Sequence, residues 1–145
     1  MPEIQLNFLA IGIAVVATFF FGFIWYTPLF GKVWAKEMGM DPDAKPSGGQ
    51  MAKGMTMMVL GNFFMAYVFS HNLAVWNPET WGQGPMEGSA FMFAFSAAFF
   101  TWLGFFLPSD MSTVAWEGKS WKLFGINTVY HFLSLLIAAL ILVNM

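Results

Sequence analysis

Phe21–Gly39, FGFIWYTPLFGKVWAKEMG, is the stretch whose reading decides the fold. A long apolar run ends there in Trp25, Tyr26 and Pro28, and the chain turns basic within a few residues. Aromatic side chains gather where a spanning helix meets the membrane surface, and proline cannot continue a helical hydrogen-bond ladder. Leu6–Leu29, just upstream, meets the length of roughly 20 apolar residues that a helix needs to cross hydrocarbon. A signal peptide would start basic and carry a shorter core with a small-residue cleavage site. The chain starts MPEIQ, with Glu3 and no Lys, so the run reads as an uncleaved span.

Composition agrees. Of the 145 residues, 58% are hydrophobic and only 10% charged, whereas soluble domains carry roughly 25% charged residues. So few charges cannot cover a water-facing surface, and most of the surface is expected to face lipid. All six basic residues are Lys and none is Arg, which argues against phosphate clamping and against a nucleic-acid partner. There is no Cys, so disulfides, thiol catalysis and Cys-ligated clusters are excluded.

Three further spans follow. Lys32–Met40 carries Val33, Trp34 and Met38 on one side at helical spacing, which predicts a short amphipathic helix lying at the interface. Asp41–Gln50 is loop chemistry. The second span is read at 55–75, the third at 89–107 where Pro108 ends it, and the fourth at 123–143. The expected fold is all-α: one membrane domain, residues 1–145, forming an integral four-helix bundle. Its connections are 31–54, 76–88 and 109–121. Ala90, Ala94 and Ala98 recur every four residues, as do Ala10 and Ala14, and small residues at that spacing let helices approach closely.

Charge orients the bundle. Lys32, Lys36, Lys45, Lys53, Lys119 and Lys122 all fall in the first and third connections. The positive-inside rule makes those connections cytoplasmic and puts both termini outside, in a bacterial inner membrane. Trp25, Tyr26, Trp34, Trp76, Trp81, Trp116 and Trp121 are the expected interfacial anchors.

Two motifs carry a family resemblance. The first span closes with Trp25, Tyr26, Thr27, Pro28, Leu29, Gly31, Lys32 and Trp34, and the fourth opens with Trp121, Lys122, Leu123, Phe124, Ile126 and Asn127. Together these resemble the family named domain of unknown function 1761, small bacterial and fungal membrane proteins. The resemblance implies a four-helix membrane fold. It brings no activity and no catalytic residue.

Polar residues inside a span are costly and therefore mark candidate sites. Asn62 lies roughly 10 Å into the second span and Thr101 at a similar depth in the third. Asn127 and His131, four apart, share a face of the fourth. With Tyr130 they predict one polar layer, either a path for a small solute or a proton with His131 titrating, or a clamp between helices. His71, Asn72 and Glu87 form a second candidate cluster near the outer surface. With Glu3 they supply only loosely placed metal ligands, so no metal is assigned. Haem is not expected either, because His71 and His131 lie roughly 24 and 13 Å from the cytoplasmic starts of their helices. Neither cofactor nor enzyme activity is expected, since no nucleophile is partnered with a base at a recognisable spacing. The expected partners are membrane lipids, with the Lys group near anionic headgroups, and further copies of the chain. A structural or accessory membrane component that forms a homo-oligomer is the leading expectation. A small channel or transporter, and a membrane enzyme or binder of a lipid-soluble molecule, are the alternatives.

Overall fold

A computed structural model, describing residues 4–145, contains four helices long and apolar enough to cross a membrane. Helix α1 is Phe8–Ile24, capped by Asn7, whose Oδ1 accepts the backbone N–H groups of Leu9 and Ala10. It runs on through a π-helical turn at Trp25–Leu29 into the short α2, Gly31–Glu37. Helix α3 is Gly48–Trp76, and a 3-10 turn at Pro78–Trp81 follows it. Helix α4, Ala90–Thr101, passes through a second π-helical turn, Trp102–Phe106, into α5, Leu107–Glu117. Helix α6 is Trp121–Asn144, capped by Ser120. No strand occurs among the described residues.

Neither proline ends its helix where the sequence reading placed the break. In an α-helix the proline ring clashes with the carbonyl four residues back. Here each proline follows or sits in a widened turn that moves that carbonyl aside. Phe30 N–H reaches back to Trp25 O at 2.9 Å, carrying the chain past Pro28. Leu107 N–H likewise donates to Trp102 O, and Pro108 then occupies the first turn of α5, where its missing N–H costs nothing. The expected loop 109–121 is therefore mostly helix, ended by Gly118 in the left-handed region (φ 66°).

The second correction concerns α3, which begins at Gly48 and not at Met55. A reciprocal pair starts it: Gln50 N–H donates to Ser47 Oγ, and Ser47 N–H donates to Gln50 Oε1. At 29 residues the helix is about 44 Å long, more than the hydrocarbon thickness of about 30 Å. Residues 48–57 are all exposed, the extension that reaches past the bundle.

Helix α6 lies at the centre, packed by α1, α3, α4 and α5, while α3 also packs on α1. The small-residue stripes explain the closeness of these crossings. Ala10, Ala14, Ala94, Ala98, Ala138 and Ala139 are all fully buried, and all but Ala10 belong to one core with Ile11, Ala66, Phe69 and Leu135. With no side chain beyond Cβ, alanine lets backbones approach and gain dispersion contacts that lipid does not supply. Both alanine stripes are consumed within one chain.

Candidate functional site

The two motifs of the sequence, one closing the first span and one opening the fourth, meet at the end of the bundle that carries the lysines. The Trp25 indole Nε1 donates to the Ile126 carbonyl at 3.2 Å, and the Tyr26 hydroxyl donates to Asn127 Oδ1 at 3.0 Å. Trp25 is only 8% exposed, so it is an interior side chain and not an interfacial anchor. Trp25 and Tyr26 are the first two residues of the π-helical turn, directly after α1. Around them Tyr130 stacks on Phe21 (centroids 5.6 Å, interplanar angle 5°) and meets Tyr26 edge-on at 4.8 Å. Trp34 is half-buried against Tyr26.

The second π-helical turn repeats the device from the other side of α6. Trp102 Nε1 donates to both the carbonyl and the hydroxyl of Thr128, each at 3.0 Å. Beyond that turn, Asp110 is buried, and its Oδ2 lies 2.9 Å from His131 Nδ1. The His131 ring also lies 5.1 Å from that of Phe106. The sequence predicts a loop at Asp110 because Pro108 reads as the end of the span. Proline is equally favoured in the first turn of a new helix, which is the position it occupies here. A carboxylate and an imidazole therefore meet inside the third and fourth spans.

A further contact closes the lysine end. Ser120 Oγ donates to Glu37 Oε2 at 2.6 Å, and Lys122 Nζ stands 3.6 Å from Glu37 Oε1. The Ser120 hydrogen bond, helped by the Lys122 charge, holds the Glu37 carboxyl below its ordinary value. This joins α2 to the start of α6. Beside it, Lys32, Lys36 and Lys122 line an open groove of about 440 Å³.

The predicted polar layer divides. Asn127 belongs with Tyr26, and His131 with Asp110 on α5. Asn62 is buried further along the bundle, with its Nδ2 unpartnered. Thr101 is half-buried at the end of α4 and outside these hydrogen bonds. At the opposite end, Asn72 and Glu87 are exposed, and His71 meets Tyr67 edge-on at 5.0 Å. No group of three metal-ligating side chains occurs among the described residues, and Glu3 lies outside them. That end holds a half-open cavity of about 490 Å³, with Ala10, Ser70, Phe93 and Leu142 in its wall and Glu79 in its lining. Trp76, Trp81, Trp116 and Trp121 are exposed at helix ends.

Comparison with the curated proteins and with the solved structures gives no match. The family model described as Protein of unknown function (DUF1761) matches residues 9–143, a stretch that takes in both motifs and every partner in the knot they form, and the chain belongs to that family.

Proposed function

We propose that the chain is a structural or accessory component of a bacterial inner membrane, with its lysine end in the cytoplasm and both termini outside. One observation carries this reading: the polar side chains at the lysine end are spent across helices. Tyr26 is bonded to Asn127, Trp25 to the Ile126 backbone, Trp102 to Thr128 and Glu37 to Ser120. Such bonds hold helices together where lipid offers no alternative partner. In this reading the Lys32, Lys36 and Lys122 groove meets anionic headgroups. Self-association uses the exposed apolar faces of α3 and α4, where Phe64 and Phe100 stand outward, because the alanine stripes are already occupied. No catalytic step is assigned.

The part-buried Asp110–His131 pair favours a second reading, a proton-conducting role, since an ionisable residue within a span is a functional candidate by default. One experiment separates the two. Purified protein is reconstituted in vesicles holding a pH-sensitive dye, alongside Asn127→Ala, His131→Ala and Asp110→Asn. The scaffold reading expects no proton flux above empty vesicles, with the variants lowering folded yield. Flux by the parent protein that His131→Ala and Asp110→Asn abolish at equal folded amounts would establish conduction instead.

A further inference from the structure

Helix α1 runs antiparallel to both α3 and α6, and contacts at its two ends fix how the three are registered. Near the lysine end, a Cβ placed on Gly22 would collide with Met58 Cε and lie 2.8 Å from Tyr130 Oη, so these three residues meet. Toward the opposite end, Ala10, Ser70 and Leu142 together line the cavity described above. Residues four apart share a helix face, so the seam between these two contacts resolves into two layers. The outer one is Ala14, Ala66 and Ala138, all fully buried. The inner one, one turn from Gly22, is Thr18, Asn62 and Ser134.

That inner layer is polar, buried and incompletely bonded. Thr18 is fully buried, Asn62 is 8% exposed and Ser134 4%. The Thr18 hydroxyl donates to the Ala14 carbonyl at 2.8 Å, leaving its oxygen free to accept. Asn62 Nδ2 and Ser134 Oγ are the two buried side-chain atoms among the described residues that no protein group meets with good hydrogen-bond geometry. The Tyr130 hydroxyl lies near enough to Ser134 to interact with it, whereas Asn62 Nδ2 has no such neighbour. An amide N–H stranded in a hydrocarbon setting is costly, and buried polar groups nearly always find a protein or water partner.

We propose that the α1–α3–α6 seam binds a water-sized, uncharged hydrogen-bonding molecule between Asn62 and Ser134, in the middle of the bundle. The chemistry is complementary: the amide donates, the serine hydroxyl accepts or donates, and Thr18 offers a further acceptor. No charged side chain belongs to the layer, so nothing in it compensates a bound ion. Met58 and Tyr130 close the seam on one side and the three alanines on the other, which limits the occupant to the scale of one or two waters. The cavity wall at Ser70 lies two turns further along the same face of α3 as Asn62, with the buried alanine layer between the two.

Water-edited solid-state NMR of the protein in lipid, labelled with ¹⁵N-Asn, tests this. The Asn62 side-chain signal is assigned by its loss in Asn62→Leu, and polarisation transfer from water to it is then measured. The proposal expects transfer in the parent protein and a clear fall in Ser134→Ala, which removes the second partner without adding bulk. Absence of transfer in the parent protein, or transfer unaltered by Ser134→Ala, overturns it. Should Asn62→Leu fail to fold, a structure in lipid nanodiscs resolving ordered water decides. Density within hydrogen-bonding distance of both Asn62 Nδ2 and Ser134 Oγ supports the site. The Tyr130 hydroxyl is Ser134's neighbour on the inner side, so a direct Tyr130–Ser134 bond with Asn62 donating to a backbone carbonyl refutes it.

Discussion

Tyr26 and Asn127 form a pair whose energy can be isolated. Deleting the Tyr26 hydroxyl leaves Asn127 Oδ1 without its donor in a half-buried position, whereas removing both polar groups leaves nothing stranded. Tyr26→Phe is expected to destabilise the fold by about 1 kcal/mol, near the middle of values measured for side-chain hydrogen bonds between membrane helices. Asn127→Leu, added to it, should cost less than the sum of the two single changes. A double-mutant cycle by unfolding in mixed detergent micelles checks this, and strict additivity would show that the bond contributes nothing. At this scale the sequence was only partly legible. Trp25 and Trp121 both flank a span, yet one is buried and the other exposed. An aromatic belt looks the same in sequence whether its members face lipid or partner helices. Asp110 was misplaced because Pro108 normally marks a helix end, and nothing local announces a π-helical turn.

At the scale of elements, the joint between α1 and α2 is the most constrained. A Cβ on Gly31 would lie 2.6 Å from the Tyr26 carbonyl oxygen, a backbone atom that cannot swing away. Gly31→Ala should therefore push α2 off the π-helical turn and lower the thermal midpoint. Gly12→Ala, in the middle of α1 with open space around it, should be neutral or stabilising by up to about 1 kcal/mol. Thermal unfolding followed by near-ultraviolet circular dichroism compares the two, and equal effects would refute the steric account. The tie between α2 and α6 carries a pH signature. Glu37's carboxyl is held below its ordinary value in the fold, so its stabilisation is present at neutral pH and lost as pH falls through that lowered value. The thermal midpoint should drop as pH is taken from neutral down through that lowered value, by less in Glu37→Gln. A full-sized acid drop in Glu37→Gln would place the sensitivity elsewhere. The spans themselves were legible, because length and apolar content in lipid leave few other structures. Their ends were not: the Ser47–Gln50 capping box starts α3 within a segment whose Gly, Pro and Ser content reads as loop.

For the whole molecule, the testable property is orientation. The chain has no Cys, so single cysteines report without background. With the lysine end in the cytoplasm, Gly84→Cys should react with a membrane-impermeant maleimide on intact cells, and Ala44→Cys only after permeabilisation. The reverse pattern would invert the topology and dismiss the positive-inside reading. The polar layer was the least legible feature at this scale. Asn62, Asn127 and His131 were assigned one depth by counting from expected span starts, and α3 begins seven residues earlier than expected. Register between helices decides such groupings, and it is set by which small residues interlock, which one strand of sequence does not display.

The central place of α6 also dictates a timetable. Helices α1 and α3 pack on each other, so they can pair as soon as both are inserted. Helix α4 rests chiefly on α6, which the ribosome delivers after it. During that interval α4 waits in the bilayer as a solitary helix, with Ala94 and Ala98 turned to lipid, and Trp25 has yet to meet the Ile126 carbonyl that receives it. Docking of α4 and closure of the Trp25–Ile126 contact therefore both await the fourth span, while the α1–α3 pair does not.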